Sequence, residues 1–200
     1  LALVDAGERP NFIIVMVDDM GYAGVGCFGN PHFDTPEIDR LASEGMRLVD
    51  FHSSGTVCSP TRAGLLTGRY QQRAGIEAVI HPHDDHPEHR KGLQLSEMTF
   101  AEILRDQGYV TGLVGKWHQG YPEVSPDFYP QNHGFDEFFG TACCPTTDWL
   151  YAFIENDLIP VPPEKLLDRS TLPEHPWSFD CREGMIAPDF DMEEVDEIFL

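Results

Sequence analysis

Basic residues are scarce in this 200-residue chain: 13 lysines and arginines stand against 34 aspartates and glutamates, a formal net charge of −21 at pH 7. So negative a balance excludes the polyanion-binding surface that a nucleic acid partner requires. The acids are spread along the chain rather than gathered in a tail, as in a solvated face that aids solubility. Long hydrophobic runs are also missing. None approaches the roughly 20 apolar residues of a membrane-spanning helix, so no transmembrane segment is expected. The five cysteines, Cys27, Cys58, Cys143, Cys144 and Cys181, are too few for a disulfide scaffold and lack the C-x-x-C pairing of a zinc site. They leave the compartment open, and spacing does not decide whether Cys143 or Cys144 pairs with Cys27 or with Cys181.

What is present suffices for one globular core: 41% of residues are hydrophobic and 11% aromatic. The chain opens on Leu1-Ala2-Leu3-Val4-Asp5-Ala6, which reads as the tail of a signal peptide with Val4 and Ala6 at the cleavage positions. Residues 1–8 are therefore expected to be a leader remnant or disordered, and the protein periplasmic or secreted. At the other end, Met192 to Leu200 read as a helix begun without a closing cap, so the chain is expected to be part of a longer one.

In between, strands and helices alternate. Asn11-Phe12-Ile13-Ile14-Val15-Met16-Val17 is a β-branched apolar run of the kind buried on both faces of a parallel sheet, and it stops at Asp18-Asp19. Adjacent carboxylates repel unless a cation joins them, and oxygen ligands favour a hard ion, calcium or magnesium. Thr35 to Gly45 predict a helix capped by Thr35, opened by Pro36 and inward-facing at Ile38, Leu41 and Ala42. Met46 to His52 then predict a strand. Leu95 to Gly108 predict an amphipathic helix, with Ser96 as cap and Thr99 as the alternative. Tyr109 to Val114 predict the next strand, ending at Gly115-Lys116-Trp117-His118-Gln119-Gly120. In extended backbone Lys116 and His118 project to one side and Trp117 to the other. The fold class is α/β, a mostly parallel sheet flanked by helices, with sites beyond the carboxyl ends of its strands.

The stretch Cys58-Ser59-Pro60-Thr61-Arg62-Ala63-Gly64-Leu65-Leu66-Thr67-Gly68-Arg69-Tyr70 is a helix start carrying a reactive side chain. Pro60 suits the first helical position and Gly68 the end, so Cys58 meets the positive end of the helix dipole, with Arg62 one turn along the same face. Histidines His81, His83, His86 and His89 crowd a segment with Asp84, Asp85 and Glu88, where two prolines oppose a helix; it reads as an exposed loop, and His83 is assigned to the rim of the substrate pocket.

Cys58-x-Pro60-x-Arg62, followed by Leu66-Thr67-Gly68-Arg69, resembles the signature of the type I sulfatases of the alkaline phosphatase superfamily. Gly115-Lys116-Trp117-His118-x-Gly120 resembles the second sulfatase signature, departing at Gln119, where leucine is common; only packing or the pocket wall should change. His133-Gly134-Phe135-Asp136-Glu137-Phe138-Phe139-Gly140 also recurs in the family and looks structural. The likeness runs from about Arg9 to Gly140, so residues 9–200 are expected to be the N-terminal part of a sulfatase catalytic domain. Residues 143–190 are rich in loops that vary with substrate.

By that resemblance, Cys58 is oxidised to formylglycine by a formylglycine-generating enzyme, and its hydrate is the nucleophile. Asp18 and Asp19, with Cys58 as formylglycine, hold calcium, magnesium being the alternative. Arg62 stabilises the hydrate, and Lys116 and His118 contact the sulfate and the leaving oxygen. The activity implied is hydrolysis of a sulfate ester on a small molecule or polysaccharide, with carbohydrate favoured by an acidic, exported chain. A phosphonate or phosphate monoester hydrolase of the same superfamily, and a non-catalytic binding module on this fold, are the alternatives. The family's remaining ligands, an Asp-Asn pair with a further lysine and histidine, come from its second half. Residues 1–200 alone are thus expected neither to bind calcium tightly nor to turn over substrate.

Overall fold

In the computed structural model, which describes residues 9–81, 85–145, 150–174 and 181–200, the chain divides into two units, Leu1–Phe51 and His52–Leu200. The first is built on helix α1 (Pro36–Glu44), whose opening proline gives up only a hydrogen-bond donor that the first turn leaves unpaired anyway. Thr35 sits at the cap position but makes no cap bond. Its hydroxyl instead accepts from the Gly26 N–H at 2.8 Å and donates to Asp39 Oδ1 at 3.1 Å, tying the helix to the turn before it.

Two expected strands do not form. Asn11 to Val17 and Met46 to His52 carry no β-ladder, and Ile13 and Val15 stand 88% and 83% exposed. A parallel strand takes its ladder from segments distant in sequence, and no described segment supplies one here. For the same reason the expected inward stripe of α1 is uncovered: Ile38 and Leu41 are exposed.

The second unit begins with α2 (Cys58–Thr67), which ends at Gly68 in the left-handed region, φ 65°, as its glycine allows. Helix α3 (Phe100–Asp106) is capped by Thr99 rather than Ser96: the Thr99 hydroxyl accepts from Glu102 N–H, and the Glu102 carboxylate accepts from Thr99 N–H. Strands β1 (Gly112–Lys116) and β2 (Glu137–Thr141) pair in parallel, and β4 (Ile154–Glu155), which follows the short β3 (Leu150–Tyr151), adds antiparallel to β2. Gly115 and Gly140 face each other in register, and a Cβ on Gly140 would meet the Gly115 carbonyl. A side chain at position 140 would therefore collide with the backbone at Gly115, where the second signature begins.

Beyond residue 143, where loops are expected, β3, β5 (Lys165–Leu166) and β6 (Met185–Ile186) form a second small sheet in the order β3-β6-β5, and α4 (Val195–Ile198) follows. Strands of two residues carry too little alternation to be read from sequence. The unit has two apolar clusters, one around Ile76, Ile80, Leu93, Trp117, Tyr121 and Phe135, the other around Tyr151, Phe153 and Phe190. The result is a mixed α/β structure with sheets flanked by helices.

Candidate active site

Helix α2 starts two residues earlier than Pro60 alone suggests. Cys58 is its first residue and Val57 its cap, and the first helical bond runs from Thr61 N–H to the Val57 carbonyl at 3.2 Å. Pro60 falls inside the first turn, where a missing N–H still costs nothing. Cys58 thus lies at the positive end of a ten-residue helix.

The first turn is anchored from two sides. The Ser59 hydroxyl accepts from the Ile80 N–H at 3.1 Å, and the Gln119 side-chain amide donates to the Ser59 carbonyl at 2.9 Å and to its neighbour's carbonyl, that of His118, at 2.7 Å. Gln119 is completely buried. Where leucine is common, Gln119 thus ties the two signatures together by hydrogen bonds.

One turn along α2, Arg62 Nη1 donates to the Lys116 carbonyl at 2.6 Å. Lys116 ends β1, and the ladder to β2 continues past it, with Trp117 N–H to Thr141 and His118 N–H to Ala142 at 3.0 and 2.8 Å. At His118 the backbone turns left-handed, φ 54°, instead of staying extended. The side chains still separate as alternation implies. Trp117 goes into the core, its indole N–H donating to the Phe128 carbonyl at 2.8 Å, while His118 is buried at 1% exposure with Nε2 2.8 Å from the Ile80 carbonyl.

Cys58, Arg62, Lys116 and His118 are thus gathered in one unit. Lys116 hydrogen-bonds to Cys58 and sets its positive charge against both Cys58 and His118. Burial, then the charges of Lys116 and Arg62, hold the imidazole pKa down to about 4, so His118 is neutral near pH 7. Two cysteines join them that spacing left unassigned. Cys143 Sγ lies 3.2 Å from His118 Nε2, and Cys144 shares a hydrogen bond with Cys58. That bond, then burial, pushes the Cys58 thiol upward, against the pull of Lys116. Hydrogen bonds from Cys143 and Cys58 push Cys144 the other way, so the first proton to leave the pair leaves Cys144. None of the five cysteines is disulfide-bonded. The signal available in the sequence was position: Cys143-Cys144 follow β2 directly, at the strand end that neighbours Lys116.

Asp18 and Asp19 belong to the first unit, where both are exposed and form a turn, Asp19 at φ 58°. No group of three or more metal-ligating side chains includes them among the described residues. His83 lies outside the described residues. Its neighbours are less exposed than a free loop would be: Pro87 to Arg90 make one 3-10 turn, and His89 is buried with Nδ1 2.8 Å from the His81 carbonyl, stacked on Tyr121. A cleft of about 430 Å³ lined by His52, Ser54, Val57, Pro60 and Glu77 opens beside the start of α2, but Cys58, Arg62, Lys116 and His118 do not line it.

The sulfatase family model matches residues 10–171. The chain belongs to the sulfatase family. Arylsulfatase A of Bos taurus is 37% identical over 186 residues, which cover 86% of this chain and 35% of that protein. N-acetylgalactosamine-6-sulfatase of Rattus norvegicus is 41% identical over 149 residues, 72% of this chain and 28% of that one. The solved structure of BT4656 in complex with its substrate D-glucosamine-2-N,6-O-disulfate aligns at a TM-score of 0.57 and 25% identity, covering 82% of this chain and 29% of that one. This sulfatase chain therefore spans about a third of the length of its curated relatives, or less.

Proposed function

We propose that the site at the start of α2 serves the hydrolysis of sulfate esters, on a sulfated carbohydrate. The observation that carries this reading is the convergence of Cys58, Lys116 and His118, with Arg62 tied to the Lys116 carbonyl, at the positive end of a helix. A sulfate monoester is an anion, and in a chain of net charge −21 its site has to be locally basic. Lys116 and Arg62 supply that charge. Two named relatives act on or are complexed with sulfated amino sugars, which supports a carbohydrate substrate.

Cys58 is the residue proposed to become formylglycine during maturation by a formylglycine-generating enzyme. Once made, the hydrated aldehyde supplies an oxygen nucleophile where the thiol stood. Helix α2 and Lys116 hold that position electropositive, which favours an anionic sulfate beside it. Arg62, held by the Lys116 carbonyl, keeps its guanidinium one turn from position 58. His118 contributes no charge, because its imidazole is neutral near pH 7, and with Nε2–H given to the Ile80 carbonyl it offers Nδ1 as an acceptor that can take a proton. Preorganised donors such as Lys116 and Arg62 contribute on the order of a few kcal/mol each when water is excluded.

Asp18 and Asp19 are proposed as two calcium ligands, magnesium being the alternative. Their hard oxygens suit either ion but fill only part of a shell of about six to eight. A bound ion would supply positive charge for the sulfate oxygens. The protein is proposed to be periplasmic or secreted. Sulfate release from sulfated amino sugars by the full-length, modified protein tests the function. Release that exceeds phosphate release from the matching phosphate esters supports it; preference for the phosphate esters, or sulfated ligand bound without cleavage, overturns it.

A further inference from the structure

The cysteines around position 58 form a donor set of a different kind from the calcium ligands. The Sγ atoms of Cys58 and Cys144 and one ring nitrogen of His118 all lie within 4.8 Å of one another. Tetrahedral zinc with bonds of about 2.3 Å to sulfur and 2.0–2.1 Å to nitrogen sets such donors roughly 3.5–3.8 Å apart. Small side-chain rotations close the difference. Two sulfurs and one imidazole are soft to borderline ligands, which select zinc over the hard ions that carboxylates prefer.

We propose that, while Cys58 is still a thiol, Cys58, Cys144 and His118 bind one zinc ion, with the fourth position left to water. Two features beyond proximity favour it. The first is the histidine's outer partner. A metal-bound imidazole commonly gives its other ring N–H to a backbone carbonyl, which fixes the tautomer. His118 Nε2 is 2.8 Å from the Ile80 carbonyl, while Nδ1, on a ring only 1% exposed, is buried with no hydrogen-bond partner. A lone pair without a partner in the interior is costly unless something fills the space beside it. The second is charge. Two thiolates cancel a dication, so the neighbouring Lys116 faces a neutral centre rather than an added positive one.

The consequence is a competition at one atom. Zinc held by Cys58 occupies the sulfur on which modification acts, and conversion to formylglycine removes that sulfur and dismantles the zinc site. The zinc proposal does not rest on sulfatase activity, because it concerns the unmodified chain.

The test uses protein whose Cys58 is shown by peptide mass to be an unmodified thiol, kept anaerobic with a non-thiol reductant. Zinc is titrated against a chromogenic chelator, and cobalt(II) is added separately for its thiolate charge-transfer absorption. One equivalent of zinc and the cobalt band are expected. Cys144→Ser and His118→Gln should each weaken zinc more than about 100-fold, beyond the loss of an outer partner. Cys27→Ser, which lies in the first unit, should leave it unchanged, and circular dichroism checks that each variant is folded. Absence of the cobalt band, zinc affinity unaltered in folded Cys144→Ser, or one equivalent persisting after Cys58 is converted would overturn the proposal.

Discussion

Arg62 Nη1 donates to the main-chain carbonyl of Lys116 across 54 residues of sequence. A single charged donor thereby joins the helix that carries Cys58 to the strand end that carries Lys116. Gln119 makes the same connection with a neutral amide, from the Ser59 carbonyl to that of His118. The two signatures are one structural unit, and substitutions at the joints should disturb both together.

Arg62→Ala removes a charge-assisted hydrogen bond to the Lys116 carbonyl. A loss of about 1.5–3 kcal/mol of stability is expected in a denaturant melt, because charged donors are worth more than neutral ones. Arg62→Lys recovers only part of it, since the ammonium lacks the rigid fork of the guanidinium. Full stability in Arg62→Ala would show that the bond is not formed in solution.

Gln119→Glu tests the second joint more severely. It turns a donor that faces two carbonyl oxygens, in a residue with no exposed surface, into a buried acceptor. At least about 3 kcal/mol should be lost, as for other uncompensated buried charges, and the loss should shrink below the pKa of the new carboxyl. Wild-type stability at pH 7 would contradict the burial of this side chain.

Thr99→Ala should cost roughly 1–2 kcal/mol by removing the cap of α3, plus the hydroxyl's bond to the His133 carbonyl at 2.7 Å. Thr99→Ser keeps the hydroxyl oxygen and both of its partners and should stay near wild type. Equal melting of the two variants would remove the capping box from the account.

His118 makes stability depend on pH. Its folded pKa, about 4, lies below the ordinary 6.5 of the free side chain. The unfolded chain therefore binds the proton more readily, and the contribution of neutral His118 is complete above pH 6.5 and lost as pH falls toward 4. The full swing is on the order of 3 kcal/mol. Subtracting the pH profile of His118→Gln from that of the wild type isolates it, and superimposable profiles would contradict the burial.

Much of this was legible from local chemistry. Proline and glycine punctuate α1 and α2, while the cap of α3, read first at Ser96, is the alternative Thr99 with Glu102 three residues on. Residues 11–17 show what is not local. Their apolar run reads as a buried strand, but a parallel ladder depends on partners elsewhere in the chain, and composition alone cannot supply them. The Cys58–Cys144 contact was hidden for a similar reason. It exists because β1 and β2 pair in parallel and end side by side, and that register is not written at either cysteine. The left-handed turn at His118 had only a weak sequence cue, since histidine enters that region more often than most residues but far less readily than glycine.

The central claim, that position 58 becomes an aldehyde, is tested most directly by the mass of the peptide containing it, taken from protein matured in its native host. The account predicts a peptide in which carbonyl oxygen has replaced the cysteine sulfur, reactive toward hydrazines. A peptide carrying intact cysteine in protein that hydrolyses sulfate esters would contradict it.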